Sequence, residues 1–202
     1  VVGNEEIISQ LRIIGKQGNL PNMILTGPPG TGKTTSVLAI AKELLGDKVK
    51  IAVLELNASD DRTIDTVRDK IKSFSTQKFI LPEGRHKIII LDEADSLTES
   101  AQQALRVIIS DSSSTTRFVL ACNESSKIIE PIQSRCCIFR FSRLKESDIK
   151  KNLERIIKIE NIKYDEDGLK ALVETSDGDM RKAVNILPST VGGFEERTKV
   201  NV

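Results

Sequence analysis

Eight consecutive residues, Gly27-Pro28-Pro29-Gly30-Thr31-Gly32-Lys33-Thr34, match the pattern G-x-x-x-x-G-K-[ST], after an apolar run and at the start of a helical one. Glycines there let backbone N–H groups curl around phosphate oxygens without Cβ obstruction, and a helix N-terminus adds a dipole that favours negative charge. In such a loop Lys33 reaches the β and γ phosphates of a nucleotide and the Thr34 hydroxyl ligates Mg²⁺. A glycine-rich turn that merely capped a helix would have no use for Lys33 or for the Pro-Pro pair. A second signal is Lys87-Ile88-Ile89-Ile90-Leu91-Asp92-Glu93, an apolar strand ending in adjacent carboxylates. Ligands of open α/β sheets sit at the carboxyl ends of strands, so these acids arrive beside the phosphates. Asp92 suits the Mg²⁺ shell, and Glu93 suits the positioning and polarisation of an attacking water. The bland reading of such acids, which applies best to Asp95, is a negative N-terminus that favours the next helix through its dipole.

The elements that must position these residues are short β-rich runs alternating with longer helical periods. That pattern predicts a parallel sheet with crossover helices. The expected strands are Asn22 to Thr26, Ile51 to Leu56, Lys87 to Leu91, Arg117 to Cys122 and Cys137 to Phe141. Between them, apolar residues at helical spacing predict helices over Lys33 to Leu45, Ile64 to Phe74 and Thr98 to Ser110. After Phe141 the strand signals stop, and Lys145 to Glu160, Asp165 to Thr175 and Asp179 to Leu187 read as amphipathic helices. The expected organisation is an α/β nucleotide-binding domain over 1–142, a helical lid over 143–194 and a tail over 195–202, with both ends reading as cuts through a longer polypeptide.

Composition narrows the function. The chain has 202 residues, 39% hydrophobic and 29% charged, the balance of a globular protein. No apolar run approaches the roughly 20 residues needed to span a bilayer, so no membrane role is expected. One histidine and three cysteines, of which Cys136 and Cys137 are adjacent, are poor material for a zinc site or a disulfide framework. A net charge of +1 excludes a uniformly basic nucleic-acid binder. With no Trp, one Tyr and six Phe, base stacking is an improbable mode, and any nucleic-acid contact is expected at phosphates.

Further motifs carry a family resemblance. Asn123 follows the strand Phe118 to Cys122; Glu130-Pro131-Ile132-Gln133-Ser134-Arg135-Cys136 contains Ser-Arg-Cys; Gly178-Asp179-Met180-Arg181 opens a helix; and the chain begins Val1-Val2-Gly3-Asn4. With the phosphate loop and Leu56-Asn57-Ala58-Ser59-Asp60-Asp61-Arg62, the chain resembles the AAA+ ATPases, and within them the small subunits of the sliding-clamp loader, replication factor C. The resemblance covers Val1 to about Phe194. It implies a P-loop AAA+ fold: a five-stranded parallel sheet flanked by helices, followed by a small helical lid domain. A helical collar domain is expected after the tail.

The resemblance also implies roles. ATP or ADP, with Mg²⁺, is held by Val2 at the adenine edge and by Gly27, Pro28, Pro29, Gly30, Thr31, Gly32, Lys33, Thr34 and Thr35, with Thr34 and Asp92 as metal ligands. Glu93 polarises water, Asn123 is sensor 1, Arg181 is sensor 2, and Arg135 acts in trans on a neighbour's ATP. Other replication factor C subunits in a hetero-pentameric ring, the sliding clamp and primer-template DNA are the implied partners, and the nucleus is the implied location in a eukaryote. DNA phosphates are expected at the helix starts near Arg62, Thr63 and Ser96 and at Arg106, whose usual basic neighbour is here Val107. A translocating motor would carry an aromatic-apolar-Gly pore loop, which Ser73 to His86 lacks. The alternative kept is another DNA-remodelling AAA+ ATPase, a replication initiator or a branch-migration motor.

Overall fold

A computed structural model describes residues 2–18, 20–59 and 64–188, and the side chains of all of these except 64–67. Five strands, β1 (Met23–Thr26), β2 (Val53–Asn57), β3 (Lys87–Asp92), β4 (Thr116–Cys122) and β5 (Cys137–Arg140), form one sheet in the order β2-β3-β4-β1-β5. Every pairing is parallel. Because β1 lies between β4 and β5, the loop leaving β1 emerges where the strand order reverses, the place at which open α/β sheets bind ligands. The helices are α1 (Glu5–Gln17), α2 (Lys33–Leu45), α3 (Val49–Ala52), α4 (Ile64–Thr76), α5 (Glu99–Asp111), α6 (Glu130–Gln133), α7 (Glu146–Ile159), α8 (Glu166–Ser176) and α9 over 180–188.

The inner strands β1, β3 and β4 read as near-continuous apolar runs because both faces of a parallel sheet are covered there. Alternate residues serve opposite layers. Met23, Leu25, Ile88, Ile90 and Val119 join Leu11 of α1 and Val37, Ile40 and Ala41 of α2. Ile24, Ile89, Leu91, Phe118 and Leu120 join Ile71 of α4 and Leu105 and Ile109 of α5. Helices α4 and α5, which form this second layer, are both expected from the sequence. Half of the other, helix α1, was not expected, although Ile7, Ile8, Leu11 and Ile14 follow helical spacing. Its Gly15 permits close approach to α2, since a Cβ there would stand 3.3 Å from Ile40 Cγ2.

The predicted strand from Ile51 begins instead at Val53, and Ile51 belongs to the short helix α3. The first rung pairs Val53 with Ile88, so in the same register Ile51 would fall opposite His86, before the start of β3.

Contacts divide the chain into two compact units. One comprises 6–27 and 33–141; the other comprises, among the described residues, 2–5, 28–32 and 142–188. The second unit has its own core of Leu144, Ile149, Leu153, Ile157, Leu169, Leu172, Val173, Ala183 and Leu187, drawn from α7, α8 and α9. The chain start is tied into it. The Asn4 carboxamide accepts from the Ser142 N–H at 2.9 Å and donates to its carbonyl at 3.0 Å.

Lys87, the first residue of β3, is only 4% exposed. Its ammonium donates to the carbonyls of Phe74 (3.0 Å), Ser75 (2.5 Å) and Gln77 (2.8 Å), and it lies over the rings of Phe74 and Phe79. Carbonyls at a helix C-terminus have no partner within the helix, and a cation also complements the dipole there. The lysine therefore closes the end of α4. Burial holds its pKa below the usual lysine value. Lys87→Met should lower stability by about 2 kcal/mol, because buried acceptors are left unpaired. Urea unfolding of the variant against the parent checks this, and an unchanged midpoint would refute it.

Candidate functional site

In the sheet unit, four expected site residues come together at the carboxyl ends of the strands. Lys33, the first residue of α2, is 9% exposed. Its ammonium donates to the Gly27 carbonyl at 2.6 Å and to Asn123 Oδ1 at 3.4 Å. Thr34 donates its hydroxyl to Asp92 Oδ2 at 2.8 Å. Residues from α2, the end of β3 and the end of β4 thus form one polar cluster. Gly27 holds φ at 146°, and a Cβ on it would overlap the Phe141 carbonyl. Only glycine fits the turn out of β1.

Glu93 is exposed and has φ 51°, in the left-handed region. Among the described residues, the other non-glycine residues with positive φ are Asn4, Asn161 and Asp177, of types that tolerate it; a glutamate does not do so readily. Such strain gathers at functional sites. Its N–H donates to Asp92 Oδ1 at 2.9 Å, so the two acids are fixed relative to one another.

Two residues that the sequence reading did not assign to the site are built into it. Asp95 Oδ2 accepts from the backbone N–H groups of Asn123 (3.1 Å) and Glu124 (3.2 Å), while Thr26 Oγ1 donates to the Asn123 carbonyl at 3.2 Å. The backbone of Asn123 is thereby held on both sides. The bland reading of Asp95 as a helix-dipole acid does not describe it. Gln102, 3% exposed, donates to the carbonyls of Leu97 (3.2 Å) and Lys127 (2.9 Å) and accepts from the Ile129 N–H (2.8 Å). It binds the segment after Glu93 to the segment leading into α6. Its signal in the sequence was a polar residue beside Ala101 and Leu105 on the apolar face of α5.

The helical unit holds Val2, the loop residues Pro28, Pro29, Gly30, Thr31 and Gly32, and Arg181. Gly30 and Gly32 have φ 67° and 91°. Thr31 is buried and donates to the Pro28 carbonyl at 2.9 Å, bracing the loop. The Gly30 carbonyl accepts from the Met180 N–H at 3.1 Å. Arg181 is exposed in the first turn of α9, and Val2 is half-buried.

Arg135 stands in the turn between α6 and β5, exposed, with Nη1 donating to the Pro131 carbonyl at 2.6 Å. Neighbouring Cys136 is pushed up to about 12 by burial and then by Cys137, so it remains a thiol. Of the residues expected at DNA, Arg62 and Thr63 lie outside the described residues. Ser96 lies not at the start of α5 but in the 3₁₀ turn Ala94–Ser96, where its hydroxyl donates to the Glu93 carbonyl at 2.7 Å. The cap of α5 is Thr98, whose hydroxyl accepts from the Ala101 N–H at 3.3 Å. Arg106 is half-buried, and its Nε has no partner.

These residues suit a nucleotide with Mg²⁺: positive-φ glycines in the loop, a buried lysine at its end, and a hydroxyl against a carboxylate. Among the described residues no group of three or more His, Cys, Asp or Glu could hold a metal. Magnesium does not require one, since it commonly takes one or two carboxylates with phosphate oxygens and water. Among the described residues no helix is long and apolar enough to cross a membrane.

The family model "ATPase family associated with various cellular activities (AAA)" matches residues 23–144, which hold the whole sheet, the phosphate loop and Asp92 to Asn123. The chain belongs to the AAA family. Within it, relatives that match almost the whole chain are named replication factor C subunits, as the Ser-Arg-Cys and sensor motifs led one to expect. The probable replication factor C subunit 2 of Dictyostelium discoideum is 60% identical over 96% of this chain and 57% of its own. Replication factor C subunit 2 of Arabidopsis thaliana is 58% identical over 100% of this chain and 61% of its own. The chain thus spans about three fifths of the length of these relatives. Among solved structures, the Holliday junction branch migration motor RuvB of Thermotoga maritima matches 92% of this chain and 60% of its own, with a TM-score of 0.71 at 19% identity. That likeness is one of fold. It does not favour the branch-migration alternative.

Proposed function

We propose that this chain is the nucleotide-binding portion of an ATPase subunit of a clamp loader, which uses ATP binding and hydrolysis to open a sliding clamp and load it on primer-template DNA. The observation that supports this most directly is the convergence of Lys33, Thr34, Asp92 and Asn123 in a chain whose relatives are named replication factor C subunits.

In this reading the loop residues Gly27 to Thr35 and Val2 hold ATP, and Thr34 and Asp92 hold Mg²⁺, which screens charge on the phosphates. Lys33 leaves the Gly27 carbonyl, or shares it, to meet phosphate oxygens. Asn123 orients a water for which Glu93 accepts the proton, and Arg181 supplies positive charge from the lid. Arg135 acts on the ATP of a neighbouring subunit. The partners are other replication factor C subunits in a five-membered ring, the clamp and DNA, and the location in a eukaryote is the nucleus. Affinity capture with the full-length protein should recover other replication factor C subunits together with the clamp. Recovery of a different AAA assembly, with neither of these, would overturn the reading.

DNA contact, in the same reading, goes to phosphates, with Arg62, Thr63, Ser96 in the turn before α5, and Arg106 on α5 as the candidate residues. Binding of primed DNA by the ATP-bound ring should weaken steeply with salt, and Arg62→Ala should reduce the magnitude of the log–log slope by about 1 without changing base preference. A salt series with both rings measures it. An unchanged slope would return Arg62 to an ordinary surface charge.

A further inference from the structure

We infer that Asp179 is a positioning residue of the nucleotide site, joining the phosphate loop to the helix that carries Arg181. The inference rests on the ATPase reading above. Helix α9 starts at residue 180, and the first N–H groups of a helix have no partner within it. Here two of them are satisfied from different sources. The Met180 N–H donates to the Gly30 carbonyl of the phosphate loop at 3.1 Å. The Lys182 N–H donates to Asp179 Oδ1 at 3.0 Å, which makes Asp179 the side-chain cap of the helix. The Asp179 carbonyl accepts from the Ala183 N–H, also at 3.0 Å, as the first bond of the helix ladder.

The same carboxylate is packed against the loop. Gly30 has φ 67°, and a Cβ on it would overlap the Asp179 carboxyl group. On the other side, the turn into Asp179 is tight: Asp177 and Gly178 have φ 50° and 80°, and the Asp179 N–H donates to the Ser176 carbonyl at 3.0 Å. One residue therefore fixes the start of α9, the seat of Gly30 and, two positions on, the place of Arg181. A shift of the loop around phosphates is carried to Arg181 through this junction. Asp179 touches no reacting atom in this scheme. It acts through Arg181.

That dependence makes the test a double-mutant cycle on ATP turnover by the full-length subunit assembled in its native complex. Asp179→Ala should lower kcat about tenfold, the loss of one helix cap expressed as a rate, with a smaller change in KM. Asp179→Asn keeps an acceptor for the Lys182 N–H and should restore kcat to within about twofold. In an Arg181→Ala background, Asp179→Ala should have little further effect. Equal losses in both backgrounds, or no rescue by asparagine, would overturn the inference while leaving the site assignment standing. An Arg181→Ala subunit with the parent's kcat would overturn both the inference and the role given to Arg181.

Discussion

Lys33→Ala is expected to weaken ATP binding by at least about a hundredfold, the loss of two charge-assisted hydrogen bonds of about 1.5–3 kcal/mol each. The ammonium is buried at the start of α2, donates to the carbonyl at the head of the loop, and stands 3.4 Å from Asn123 Oδ1. A cation in that place serves the phosphates and also holds the loop to the end of β4. Alanine removes both functions, and the polar atoms of Gly27 and Asn123 would repel phosphate. Isothermal titration of the full-length protein with ATP measures the effect. Glu93→Gln is the control, because Glu93 is exposed and its hydrogen bonds to Asp92 and Ser96 are made by its backbone, which the substitution leaves in place. It should bind ATP as the parent does and not turn it over. ATP binding unchanged in Lys33→Ala would mean that the loop is not the nucleotide site.

Arg135→Ala, placed in one subunit of a complete ring, should depress hydrolysis at the neighbouring site by about 10³- to 10⁵-fold and leave that subunit's own ATP affinity unchanged. The structure is compatible with action on another chain. The guanidinium is exposed, its hydrogen bond is to the Pro131 carbonyl four residues back, and Lys33, Thr34, Asp92 and Asn123 make their hydrogen bonds without it. Backbone support for its turn is close by, since the Arg135 N–H donates to the Ile132 carbonyl at 3.0 Å and Gln133 donates to the carbonyls of Ser125 and Ile128. The arginine is thus carried on a fixed base, with an exposed guanidinium that donates to the Pro131 carbonyl of the same segment. Turnover measured in rings with a single surviving catalytic site separates the neighbour from the mutated subunit. Loss of the mutated subunit's own ATP binding instead would place Arg135 in its own site.

Much of this protein was legible in the sequence because its informative features are local. The phosphate loop is a contiguous stretch whose glycines, lysine and threonine are all needed within eight residues, and α2 begins at Lys33 as read. The apolar run of β3 announced a strand covered on both faces, and the spacing after Phe141 announced the helices α7, α8 and α9. The AAA family followed from those motifs together. Errors fell where a neighbour decides. Ile51 has strand propensity but no partner in β3, so it joined α3, and α1 is held as much by its seat on α2 and β1 as by its own pattern.

What only the tertiary structure decided is which distant residues act together. Strand order brings Asp92 to Thr34 across 58 positions and Asn123 to Lys33 across 90, and neither pairing follows from any local spacing. The same holds for Asp95 under the Asn123 backbone, Lys87 at the end of α4 and Asp179 against Gly30. Each is an ordinary charged residue in its own segment. Its role comes from backbone groups that have no partner in their own element and are met by whatever side chain the fold brings to them. Sequence fixes which groups are short of a partner; packing chooses the partner.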